Sequence, residues 1–374
     1  MVTAVMAGTM LLFLLPRLRV DDPPGVSAIA WLLPDRCSGV IGYGADVRTP
    51  AADVLVIGAG VCGLSTAIVL LDAGLAVDVY AAEPPHRTTS ATAGALWGAH
   101  LVGIDERVGS WAARTLSRFR ELAAEPDAGI TEMGGLVASP AGVETEPPSF
   151  TRGAGPVTKC DPAELPSGFA SGWRYSAPVV AMPAYLDYLL GQLLNKGGNL
   201  HLGPSLRGLA EAESRSAAPI IVNCAGIGAR DLVPDPGLTP FRGQVVVTAN
   251  PGLAEFFVGE RESPDEVTYI FPHGASVVLG GTQQAAATSL RPDPVTAERI
   301  IAGCVAVEPR LAGAPILAHR VGLRPVRARV RLEAKAISGG RYLVHNYGHG
   351  GAGVTLSWGC AQAVLTEVAV LLGR

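Results

Sequence analysis

The stretch Asp53–Leu64 reads DVLVIGAGVCGL and constrains the fold more than any other part of the chain. An apolar run this short, closed by glycine, is a strand buried on both faces. Gly58, Gly60 and Gly63 then turn the backbone into a helix over Leu64–Leu71, and Ala76–Tyr80 (AVDVY) supplies the next strand. The spacing is that of a dinucleotide-binding βαβ unit: Gly58 permits the tight turn, Gly60 admits a pyrophosphate against the backbone, and Gly63 lets helix and strand pack closely. Ala59, Val61 and Leu64 complete the loop and the first helical turn, whose free N–H groups face phosphate charge. Glu83 follows the second strand, where an acid meets a ribose hydroxyl. This loop alone does not separate a flavin from a nicotinamide dinucleotide.

A second glycine-rich stretch, HNYGHGGAGVT at His345–Thr355, lies near the other end and opens a helix from about Val354 to Leu372. Two such loops imply one dinucleotide held from both ends of the sequence. A helix start aimed at a flat ring would stabilise negative charge on a reduced flavin, which favours a flavin dinucleotide. His345 and His349 read as histidines fixed by neighbouring backbone rather than as bases. After Glu83, Arg87 offers a cation and Thr88, Thr89 and Ser90 offer hydroxyls beside the dinucleotide. Gly94, Ala95 and Leu96 are part of a segment small enough for backbone to touch a planar ring.

Composition removes other classes. Of 374 residues, 48% are hydrophobic and 17% charged, with a net charge of −4. No basic stripe marks a nucleic-acid surface. Lysine is confined to Lys159, Lys196 and Lys335, and no phosphate-loop GxxxxGK[ST] occurs, against an NTPase. The six cysteines show no metal spacing, so no metal site is expected; Cys62 and Cys224 read as free, buried thiols. Val2–Leu15 is apolar but too short to span a bilayer, and Arg17 and Arg19 follow it rather than precede it. Residues 1–50 are therefore expected to be a weakly ordered extension without membrane contact. The Leu-Leu-Gly-Arg end lacks a peroxisomal address, and a cytoplasmic setting is expected.

The expected fold class is α/β. Binding-fold strands fall in residues 51–100, 195–235 and 321–374, forming a Rossmann-like FAD-binding domain. Residues 101–194 and 236–320 would form an interleaved, mostly antiparallel substrate domain, with Gln244–Ala249 (QVVVTA) and Ser276–Gly281 (SVVLGG) as strands of a separate sheet.

Taken in order, IGAGVCGLS, TTS with AGALW, VNCAGIGA, RGQ at Arg242–Gln244, YIFPHGASVVLGG, GLRPVR and HNYGHGGAGVTLSWGC resemble the motifs of the D-amino-acid oxidase family. The resemblance spans about residues 53–373. It implies noncovalent FAD, hydride transfer from the substrate Cα to flavin N5, reoxidation by O2 to hydrogen peroxide, and release of a 2-oxo acid and ammonia. It places Leu206, Gly350, Gly351, Gly353, Val354 and Thr355 at the cofactor. Arg324 matches the arginine that binds the substrate carboxylate, a role suited to a planar guanidinium. Without the resemblance, Arg320, Arg327, Arg329 and Arg331 compete for that role. Tyr269 matches a tyrosine that also touches the carboxylate, and Gly351 lines the same place. Asp265 stands where some members carry a lid tyrosine, and Ala352 where a tyrosine neighbours the flavin. No acid–base pair is expected, because the mechanism rests on orientation. D-Aspartate oxidases place an arginine after Gly280-Gly281-Thr282; Gln283 stands here, so neutral or apolar D-amino acids are expected. A homodimer is an admitted assembly. The alternatives are a related amino-acid dehydrogenase passing electrons to another acceptor, an oxidase preferring acidic substrates, a flavin-binding protein without catalysis and a nicotinamide dehydrogenase.

Overall fold

The structure, a computed structural model, describes residues 41–43, 52–103, 105–140, 146–259 and 266–374. Asp265 and the extension before residue 41 lie outside the described residues. Strands β1 (Ile41–Tyr43) and β2 (Val54–Ile57) precede helix α1 (Val61–Asp72) and β3 (Val77–Ala81). Helix α2 (Glu106–Leu122) leads to β4 (Ile130–Ser139), β5 (Thr158–Lys159) and β6 (Ser171–Val180). Next come α3 (Met182–Asn195), β7 (Asn199–Leu202), α4 (Leu209–Arg215), β8 (Ile220–Asn223) and α5 (Ala229–Leu232). The meander β9 (Thr239–Ala249), β10 (Phe256–Gly259), β11 (Glu266–His273), β12 (Ser276–Thr282) and β13 (Gln284–Ala285) follows. The chain closes with α6 (Pro294–Val307), β14 (Ile316–Ala336), β15 (Tyr342–His349) and α7 (Gly353–Leu371).

All four residues of β2 are buried, as its unbroken apolar run requires. It lies between β3 and β8, parallel to both, and β15 joins β8 in parallel. Three segments distant in sequence thus build one parallel sheet, and β1 extends it beyond β7. A weakly ordered extension through residue 50 therefore does not describe residues 41–43, which form a strand.

The expectation of a separate antiparallel sheet is corrected. All the strands belong to one sheet in the order β1-β7-β3-β2-β8-β15-β14-β9-β12-β11-β10-β4-β6-β5, with β13 on β9. The cause is β14, a strand of 21 residues. Its later part, Arg331–Ala336, pairs with β15, and its earlier part, from Ile316, pairs with β9. A boundary between residues 320 and 321 would fall inside this strand.

Helices cover the parallel half. The N-cap of α2 is Asp105, whose carboxylate accepts from Arg107 N at 3.0 Å. Gly359 of α7 lies on the Trp111 backbone of α2, where any Cβ would collide. Trp358 Nε1 donates to Tyr185 Oη at 2.7 Å, tying α7 to α3, and Phe119 of α2 meets Tyr185 edge-on at 5.8 Å. Helices α2 and α3 thus join the layer around α1 and α7, although both fall in the block expected to form the substrate domain. Helix α7 is long and apolar enough to cross a membrane, but 56% of that stretch is buried inside the protein, as befits a core helix.

Candidate active site

The two glycine loops line one cavity of about 680 Å³, within the range of cofactor sites. Gly58 has φ +109°, and a Cβ there would stand 2.5 Å from the Cys224 carbonyl oxygen at the end of β8. Only glycine satisfies both conditions. Gly63 faces the Gly58 carbonyl so closely that any side chain would collide. Gly58, Ala59, Gly60 and Val61 line the cavity; Gly63 and Leu64 do not. Gly63 acts through packing, and Leu64 is fully buried in the core, a correction to its expected cofactor contact.

Helix α1 starts at Val61 without a side-chain cap from Gly60 and without an acid in its first turn. Its N-terminal dipole is left for an anion. Ser90 Oγ accepts from Val61 N at 3.0 Å and fixes the hydroxyl segment against the loop. Thr88, Thr89 and Ser90 line the cavity with Gly94, Ala95 and Leu96. Glu83 lines it too, beside Arg87 at 3.9 Å, both well exposed, and Leu206 approaches from the segment after β7.

The second loop is tighter than its sequence indicates, because β15 continues to His349 before the chain turns. Gly350 has φ +55° and abuts the Leu101 carbonyl, leaving no room for a Cβ. Gly350, Gly351, Gly353, Val354 and Thr355 all line the cavity. Ala352 does not; it is fully buried, so no side chain there points at the ring site. Thr355 Oγ1 donates to Gly98 O at 2.9 Å and accepts from Gly98 N at 3.1 Å. Cys62 Sγ donates to Gly353 O at 3.6 Å and lies 3.7 Å from His349 Nδ1, so one thiol ties the first loop to the second. Burial pushes the Cys62 thiol up and holds His349 down to about 4. The neutral His349 ring, with Nε2 3.1 Å from Asn346 Oδ1, is a fixed wall and not a base.

Strand β14 presents Arg320, Gly322 and Arg324 on one face, by the two-residue period of a strand. The turn Thr89–Thr92 rests on this strand at Gly322, where a Cβ would collide with Thr92 Oγ1. The turn therefore parts the two guanidinium groups. Arg324 enters the large cavity; Arg320, Arg327, Arg329 and Arg331 do not. Arg327 and Arg331 pair with the buried Asp235, at 3.0 and 3.4 Å, and Arg329 is exposed. The structure thus distinguishes among five arginines that the sequence leaves equivalent.

Arg324 Nη1 donates to Thr282 O at 2.7 Å, and the guanidinium lies near enough to Tyr269 to act on its phenol. Burial raises the Tyr269 phenol and nearby Arg324 opposes this, so the hydroxyl stays protonated. Tyr269 stacks on Phe271 at 4.6 Å, and Gly94 leaves the space for both rings. Gly281 lies under the Tyr269 hydroxyl, and a Cβ on Gly243 would stand 2.5 Å from Arg324 Nη1. Gly243 was legible only as the middle of RGQ. Its neighbours support the loop instead: Arg242 donates to Ser289 O, Gln284 Oε1 and Arg291 O, and Gln244 Nε2 donates to Asp293 O. His100, which carried no sequence signal, meets Gln283 Oε1 at 3.1 Å beside Gly351. Burial pushes its imidazole down, and Arg324 adds to this.

The cavity fits a flavin dinucleotide: a helix start with glycine at its N-cap and no acid in its first turn for pyrophosphate, hydroxyls and an acid along one wall, and glycine backbone along the other. Among the described residues no cluster of His, Cys, Asp or Glu could hold a metal.

Residues 53–366 match the sequence profile of the FAD dependent oxidoreductase family. A D-amino-acid oxidase from Rubrobacter xylanophilus is 48% identical over 322 residues, covering 86% of this chain and 96% of that protein. A D-amino-acid oxidase from Streptomyces coelicolor is 42% identical, covering 83% of this chain and 94% of that protein. Among solved structures, glycine oxidase from Geobacillus kaustophilus superposes with a TM-score of 0.71 at 18% identity, covering 85% of this chain and 95% of that one.

Proposed function

This chain belongs to the D-amino-acid oxidase family of FAD dependent oxidoreductases, and from that premise we propose how its cavity selects and orients a D-amino acid. The two glycine loops, with Glu83, Thr88, Thr89 and Ser90, would hold FAD noncovalently, and FAD would supply the two-electron redox chemistry when bound. The chain supplies position. Arg324 and Tyr269 grip the substrate carboxylate, one by a planar guanidinium and the other by a hydroxyl, inside the cavity lined by both glycine loops. That shared placement carries the proposal. Gly243 and Gly281 leave the clearance these groups need.

No residue is called on to remove a proton from Cα. His349 is neutral and bonded to Asn346, and Tyr269 keeps its proton. The amine enters neutral, and two-point binding of the carboxylate contributes the orientation on which the rate depends. Gln283, hydrogen-bonded to His100, offers no cation to a second carboxylate, which supports a preference for neutral side chains. Cys62, Cys160, Cys224 and Cys360 are free thiols, which suits a reducing, cytoplasmic setting.

The pure yellow protein is expected to form peroxide in air with D-alanine, D-valine and D-methionine and not with their L-enantiomers. Reduction of the flavin without peroxide would favour a dehydrogenase. Turnover of D-aspartate far above these three would overturn the side-chain preference.

A further inference from the structure

On the far side of the Thr89–Thr92 turn lies a second cavity of about 320 Å³. Arg320 of β14 and His86 and Arg87 of the turn after β3 line it, with Thr88, Thr92 and Pro183. Among the described residues no acidic side chain lines it. Arg320 is half-buried, and its hydrogen bond to Ala91 O is long, at 3.4 Å. Arg87 pairs with the exposed Glu83 at 3.9 Å, and Asp187 of α3 lies toward His86. Burial depresses the Arg320 guanidinium. A guanidinium withdrawn from water normally has an anionic partner.

The geometry points to an oxoanion site: the second cavity takes a phosphate-type group, bound by Arg320 with Arg87 and His86 at its rim. Thr88 and Thr92 cannot donate to it through their hydroxyls, which already donate to Pro85 O and Thr89 O at 2.7 and 2.8 Å. The cations therefore carry recognition. Arg87, Thr88 and Thr92 line both cavities. A group seated behind the turn braces the wall that faces the flavin, so the two ligands strengthen each other reciprocally.

The test uses the holoenzyme and reads binding and flavin release rather than turnover, so its failure leaves the oxidase reading untouched. Calorimetric titration with inorganic phosphate is expected to saturate. The temperature of flavin release is expected to rise with phosphate and not with sodium chloride at equal ionic strength. Glycerol phosphate in a parallel arm distinguishes a free ion from a phosphate ester: tighter binding than inorganic phosphate assigns the site to an ester. R320Q and the exposed-site variant H86E are each expected to weaken binding at least tenfold and to abolish the shift. H86E keeps the test decisive if R320Q fails to fold. Equal binding by all three proteins, or a shift that sodium chloride reproduces, overturns the site. Saturable binding without a shift in flavin release overturns the coupling alone.

Discussion

At the scale of single residues, the proposed substrate grip depends on one arginine and on the absence of one methyl group. Arg324→Ala is expected to retain the flavin spectrum while kcat/KM for D-amino acids falls by about 3–5 kcal/mol, the cost of leaving one partner of a desolvated charge pair alone. Unchanged kinetics would hand the carboxylate to another group. Gly243→Ala places a Cβ against the guanidinium, so Arg324 must tilt. A rise in KM of roughly tenfold, about 1.4 kcal/mol, is expected with the flavin spectrum unaltered. Sequence reasoning reached Arg324 only through resemblance, because five arginines share the segment and a strand's alternation leaves Arg320 and Arg324 equally eligible. What separates them is the Thr89–Thr92 turn, over two hundred residues away in sequence. No local pattern encodes such a contact. Leu64 shows the opposite limit: its place in the motif was legible, but the face of the helix it occupies was not.

At the scale of elements, the βαβ unit, the second loop and the apolar strands were legible, since each follows from a local period and from glycine chemistry. The continuity of the sheet was not. A 21-residue strand carrying arginine and proline has no periodic signature that forecasts two different partners. Strand β15 yields a further expectation. Its His345 and His349 are buried and held near 4, mainly by burial, with Arg331 adding to the effect at His345. Both titrate near 6.5 when unfolded, so between about pH 4 and 6.5 the unfolded chain binds more protons. Their contribution is complete above pH 6.5 and is lost as pH falls toward 4, by at most roughly 1.4 kcal/mol per pH unit for each. Denaturant titrations at pH 7 and pH 5 should show this loss. In His345→Gln, the pH dependence should become shallower; the same slope would assign the effect to other groups.

At the scale of the whole molecule, β14 governs what can move. It pairs with β15 beside the second glycine loop and with β9 beside the proposed substrate grip, where Arg324 faces Phe241. The two halves share this one strand and are coupled through it. A backbone nick within β14 would cut the covalent link between the part paired with β9 and the part paired with β15. Limited proteolysis should therefore yield either intact yellow protein or colourless peptides, with no flavin-retaining fragment that lacks residues 236–320. In gene-fusion terms, the binding unit cannot be transplanted without its neighbour: a chimera that borrows the glycine loops must borrow the whole length of that strand.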